Sequence, residues 1–233
     1  MTTIENSLGQ VRARLDSACG QAGRESGSVA LLAVSKTFGP EAVVQALAAG
    51  QHAFGENYVQ EGVEKILAVR ALQPQAAIEW HCIGPVQSNK TRLVATHFDW
   101  VQSVDRLKIA QRLSEQRPDD LPPLQVCLQV NVDGGANKSG VHPEDVWPLA
   151  QAVQALPRLR LRGLMCIPEP AQGFEAQRAV LARARALWDS LLAQGCALDT
   201  LSMGMSEDLE AAVAAGSTMV RVGRAIFGAR EAR

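Results

Sequence analysis

Neither sign of charge prevails in this sequence: 23 basic residues stand against 24 acidic ones, a formal net charge of −1. Nucleic acid and lipid surfaces recruit a basic excess, so neither is an expected partner, and a small molecule or another protein is. Long apolar runs are missing as well. None reaches the length that spans a bilayer, and Met1-Thr2-Thr3-Ile4-Glu5-Asn6 has neither the basic nor the apolar region of an export signal. The five cysteines, Cys19, Cys82, Cys127, Cys166 and Cys196, are odd in number, far apart and without a CxxC pair. They read as reduced core residues of a cytoplasmic protein. No His/Cys/carboxylate spacing suggests a metal, and no serine nucleophile elbow occurs.

No composition break or long linker divides the 233 residues, so one domain is expected. Ile4, Leu8, Val11, Leu15 and Cys19 recur at helical spacing and predict an amphipathic helix, with residues 1–26 forming that helix and a linker ahead of a barrel over 27–233. Strand-like and helix-like blocks then alternate. Strands are expected over 29–34, 52–57, 78–84, 100–104, 124–132, 159–167, 201–205 and 218–222. Helices are expected over 41–49, 58–72, 89–97, 106–116, 143–156, 174–194 and 207–215. Eight strands with a helix after nearly every one predict an α/β fold, a single (β/α)8 TIM-type barrel with an extra N-terminal helix. The rival is a doubly wound sheet, if the short second and fourth strands are loops.

The first strand carries the strongest chemical hint. Val29 to Val34 is an unbroken apolar run between turn signals, the pattern of a parallel strand covered on both faces, and Lys36 stands at its carboxyl end. That end is where α/β proteins collect ligands, so an amine there can meet a carbonyl group. Most lysines at strand ends only reach for water. The other strand ends bring Asn57, His81, Asn131, Met165, Ser206, Arg221 and Gly223 towards the same mouth. The segment 203–208 enters a helix whose first turn offers N–H groups to phosphate, although Ser206 suits an ordinary N-cap equally well. Arg221, inside a strand, needs a carboxylate, a ligand or the barrel mouth, because unpaired burial of its charge is costly. Gly223 would admit a ligand close to the backbone. His81 is read first as a structural histidine.

The ordered set Leu32-Ala33-Val34-Ser35-Lys36, Phe54-Gly55-Glu56-Asn57-Tyr58-Val59-Gln60-Glu61, Trp80-His81-Cys82-Ile83-Gly84, Gln87-Ser88-Asn89-Lys90, Asn137-Lys138-Ser139-Gly140, Gly163-Leu164-Met165, Leu201 to Ser206 and Val220 to Gly228 resembles the pyridoxal phosphate homeostasis proteins. Those are related in fold to the barrel domain of alanine racemase. The resemblance implies pyridoxal 5'-phosphate as cofactor, held as an aldimine by Lys36. It places Asn57, His81, Met203, Ser206, Arg221, Gly223 and Arg224 around it, with Ser206 and the backbone of Gly223 and Arg224 at the phosphate and Arg221 facing the pyridine nitrogen. Cys82 departs from an aromatic residue common before Ile-Gly, and Arg224 from a small hydroxyl residue. An always-protonated guanidinium leaves that nitrogen unprotonated and weakens the ring as an electron sink. The implied task is non-enzymatic: a monomeric carrier that delivers the cofactor to apo-enzymes. An amino-acid racemase is the alternative. It is expected to need a second acid/base, which alanine racemase takes from a further domain that this chain, ending at Arg233, is expected to lack; the sole tyrosine is Tyr58. Lys138 is expected to help pass cofactor through a loop after the fifth strand.

Overall fold

The computed structural model describes residues 3–135 and 139–229. Helix α1 (Ile4–Gln21) starts where Asn6 N donates to Thr3 Oγ1 at 3.2 Å, and it buries Leu8, Val11, Leu15, Ala18 and Cys19, the stripe that its spacing foretold. Then follow β1 (Ala30–Val34), α2 (Pro40–Ala48), β2 (Ala53–Glu56), α3 (Val59–Leu72), β3 (Glu79–Cys82), α4 (Thr91–His97), β4 (Trp100–Val104) and α5 (Leu107–Gln116). The second half runs β5 (Leu124–Gln129), a 3-10 turn (Pro143–Asp145), α6 (Val146–Gln154), β6 (Leu159–Met165), α7 (Phe174–Ala193), β7 (Thr200–Ser202), α8 (Leu209–Ala214), β8 (Met219–Val222) and α9 (Arg224–Phe227).

All eight strands are parallel and close into a barrel in chain order. The seam is β1 on β8, with Leu32 opposite Arg221 and Ala33 opposite Val222. β2 and β4 are true strands, each paired on both sides, so the doubly wound alternative falls. Alternation sorts the side chains into two cores. Ala33, Phe54, Trp80, Val101, Val126, Leu164, Leu201 and Val220 join the large layer between strands and helices. Leu32, Val34, Ile83 and Met219 form a small cluster in the lumen, and Trp100, Cys127 and Met165 another. Each fully buried Leu, Phe or Val in these layers stabilises the fold by about 1.5–3 kcal/mol relative to exposure. All five cysteines are buried and unpaired.

Three of the departures from expectation have local reasons. β7 stops at Ser202, because the chain leaves the sheet at Gly204, whose φ is +95°. β5 stops at Gln129, and Asn131, expected at the mouth, turns to the following loop: its Nδ2 donates to Gly135 O at 2.9 Å and its Oδ1 accepts from Gly134 N at 3.0 Å. α9 was not foreseen, since four residues are too few to show a period. No helix among the described residues is long and apolar enough to cross a membrane.

Candidate functional site

The carboxyl ends of the strands open on a cavity of about 320 Å3, within the size range of small-molecule sites. Its wall includes Lys36, Asn57, Ser206, Arg221, Gly223 and Arg224, which arrive from β1, β2, β7 and β8.

Lys36 sits in a turn in which Phe38 N donates to Ser35 O at 3.1 Å. The next residue, Thr37, has φ +70°, a left-handed conformation that costs an L-residue about 1–2 kcal/mol. An ionic cluster, buried at Lys65 and Glu56 and partly exposed at Glu61, holds it there. Thr37 N donates to Glu61 Oε1 at 2.6 Å. On the other side of Lys36, Lys65 Nζ donates to Ser35 O at 2.7 Å, to Glu56 Oε1 at 2.6 Å and to Glu61 Oε1 at 3.2 Å. Ser35 Oγ also donates to Glu56 Oε1, at 2.6 Å. Burial holds the Glu56 carboxyl above its ordinary range, although Lys65 and Ser35 both act to lower it. The charges of α3 and β2 thus fix the backbone on each side of Lys36. Sequence reasoning missed this cluster. Its signal was legible: Gly62, Lys65, Ile66 and Val69 share the buried face of α3, where a lysine needs a partner.

Asn57 follows β2, and its Oδ1 is buried without a hydrogen-bond partner. A polar atom left unpaired at a cavity wall is one that a ligand can satisfy. Asn57 is placed by the absence of a side chain at Gly84, where a Cβ would lie 2.0 Å from Asn57 O. At Gly223 a Cβ would lie 3.0 Å from Val34 O, a tight approach to the backbone of β1.

Arg221 is buried in the lumen. Its Nη1 donates to Ser202 Oγ at 2.8 Å and its Nη2 to Cys166 O at 2.9 Å. Burial lowers its pKa, and the same desolvation pushes the Cys166 thiol up to about 12. From Ser202 a chain of hydrogen bonds runs down the barrel. Ser202 Oγ donates to Gln102 Oε1 at 2.6 Å, and Gln102 Nε2 lies 2.9 Å from His81 Nδ1. His81 Nε2 lies 3.1 Å from Glu79 Oε1 at the opposite mouth. An amide nitrogen can only donate, so His81 Nδ1 accepts and its Nε2–H is given to Glu79. Burial lowers the His81 pKa, with Glu79 pulling the other way. The imidazole also stacks on Trp100, 4.9 Å between centroids, and the Arg162 guanidinium lies 4.6 Å from that indole.

The cavity therefore gathers six of the eight residues that the resemblance places around the cofactor, and two it does not. His81 lies one layer below the mouth, where Ile83, two residues on, faces the cavity. Met203 points the other way, into the layer under the helices, because it has the parity of Leu201 and not of Ser202. Sequence reasoning also passed over Phe38, Ile167 and Met205, apolar residues that complete the wall. Lys138 lies outside the described residues. Among the described residues no group of three or more metal-ligating side chains occurs.

Residues 7–231 match the family described as alanine racemase, N-terminal domain. A pyridoxal phosphate homeostasis protein of Pseudomonas aeruginosa is 58% identical over 231 residues, covering 99% of this chain and 97% of the relative. The solved structure of PipY from Synechococcus elongatus PCC7942 with PLP bound is 35% identical, with a TM-score of 0.82 over 97% of this chain and 100% of that one. Alanine racemase from Corynebacterium glutamicum shares the fold at 17% identity, with a TM-score of 0.68 over 95% of this chain and 61% of that one. The chain belongs to the alanine racemase N-terminal domain family and, within it, to the pyridoxal phosphate homeostasis proteins.

Proposed function

We propose that this protein binds pyridoxal 5'-phosphate reversibly, as a Schiff base on Lys36, and hands it to apo-enzymes without turning over a substrate. The observation that carries the reading is the meeting of Lys36, Arg221 and the unpaired Asn57 Oδ1 at one cavity, which supplies an amine for an aldehyde, a fixed donor for a ring nitrogen and an acceptor for a phenol. Ser206, Gly223 and Arg224 stand on the β7 and β8 side, where barrels often hold phosphate. His81 acts one layer down, as a support for Arg221 through Gln102 and Ser202.

The donor-only guanidinium keeps the ring nitrogen an unprotonated acceptor, a setting that suits racemase-like chemistry or no turnover at all. Racemisation would also need a second acid/base across the substrate from Lys36. Tyr58, the only tyrosine, is 55% exposed and does not line the cavity. The protein is proposed to act as a monomer in the cytoplasm.

Mixing the loaded protein with an apo-enzyme that lacks its cofactor tests the carrier role. Activity should return in step with loss of the visible imine band, faster than the same amount of cofactor is released into buffer. Deuterium uptake at the α-carbon of any single-enantiomer amino acid would favour the racemase reading instead.

A further inference from the structure

We infer that α1, which stands outside the eight strand-helix units, completes the phosphate end of the cavity through Arg14. The inference rests on the cofactor reading above. The Arg14 guanidinium is held in a fork by Glu210 of α8, Nε to Oε1 and Nη2 to Oε2, each at 2.6 Å. Its remaining arm, Nη1, donates to Ser206 O at 2.8 Å. Ser206 lines the cavity, and so does Glu207.

A trans peptide is planar, with its C=O and N–H on opposite sides. Holding Ser206 O towards α1 therefore turns the Glu207 N–H away from α1. The rest of the turn is tied down from within the barrel: Met205 N donates to Asp208 Oδ1 at 2.6 Å, and Arg221 N, on β8, to Gly204 O at 3.0 Å. Arg14 adds the tether from outside it. Without that tether the peptide between Ser206 and Glu207 can rotate, and the groups offered to a phosphate lose their direction.

The arrangement goes beyond docking a helix. α1 is anchored independently by its buried stripe and by Arg12, whose Nη1 and Nη2 donate to Ala49 O at 2.8 Å and Gly50 O at 2.9 Å. Arg24, just beyond its end, donates to Ser217 O at 2.7 Å. The Arg14 and Glu210 side chains are each 38% exposed, so water screens their attraction, while the two parallel bonds fix the direction of the guanidinium. The fork serves better to aim the third arm than to hold the fold, which makes Arg14 a positioning residue.

The test compares pyridoxal 5'-phosphate with 5'-deoxypyridoxal, which forms the same imine but carries no phosphate. Arg14→Ala should weaken binding of the phosphorylated aldehyde about tenfold, the scale of one charge-assisted hydrogen bond, and leave the deoxy compound within about twofold. Arg14→Lys keeps the cation and the stem but not the fork, so it should fall between wild type and Arg14→Ala, and it serves should the alanine variant loosen the helix. Equal losses for both aldehydes, or no loss for either, would overturn the role given to Arg14. An unsubstituted protein that forms an imine with neither aldehyde would overturn the cofactor reading itself, and this inference with it.

Discussion

Lys65 Nζ lies 2.6 Å from Glu56 Oε1 in the layer behind the Lys36 turn, a pair almost wholly withdrawn from water. Desolvation makes such a pair expensive to form and more expensive to halve. Lys65→Met leaves the Glu56 carboxylate buried without its cation and should cost about 3–5 kcal/mol of stability in urea unfolding. Adding Glu56→Gln should recover much of that loss. A single variant that costs less than about 1 kcal/mol would mean that the cluster does not hold the turn.

The chain through Gln102 makes a second prediction. Gln102→Leu leaves the Ser202 O–H without an acceptor and His81 Nδ1 without a donor in the lumen, two buried polar groups at about 1–3 kcal/mol each. Stability should fall accordingly. The cofactor imine should weaken as well, since Ser202 would no longer be oriented for Arg221. Lost stability with unchanged affinity would show that the chain supports the barrel alone.

His81 sets a pH dependence whose sign is fixed. Its pKa in the fold lies below the ordinary 6.5, because burial disfavours the imidazolium. As pH falls through 6.5 the unfolded chain takes up a proton that the folded chain refuses, so stability declines with acidification. Urea midpoints at about pH 7.5 and about pH 5.5 should differ for wild type and differ less for His81→Gln. The same difference in both proteins would assign the dependence to another group.

Gly84→Ala places a methyl group 2.0 Å from Asn57 O, against backbone that cannot swing aside. Overpacking of this kind costs about 1–3 kcal/mol or more. The displaced Asn57 should also lower affinity for the cofactor. A neutral Gly84→Ala would show that the loop after β2 is looser than its contacts suggest.

The barrel was legible because period-2 and period-3.6 patterns alternate without a break, and Trp100–Val104 was bounded from sequence as it is in the fold. What escaped depends on groups distant in sequence or on fine register. The place of Lys65 on the apolar face of α3 signals the need for a partner, but only the packing of α3 on β2 shows that Glu56 and Glu61 are the carboxylates it meets. His81 and Ile83 share a face, so strand alternation could not say which stands at the mouth. Met203 is placed at the cofactor by resemblance, whereas its strand parity sets it with Leu201 in the layer under the helices. Lys36 and Arg221 were legible for the opposite reason: a charge beside or within an apolar run has few places to go.

The central claim is that Lys36 is the amine that holds the cofactor. Borohydride reduction of the loaded protein, followed by peptide mapping, fixes the imine where it stands. The account predicts one dominant pyridoxyl adduct, on Lys36. An adduct carried mainly by another lysine, or a protein recovered unlabelled after saturation with the cofactor, would contradict it.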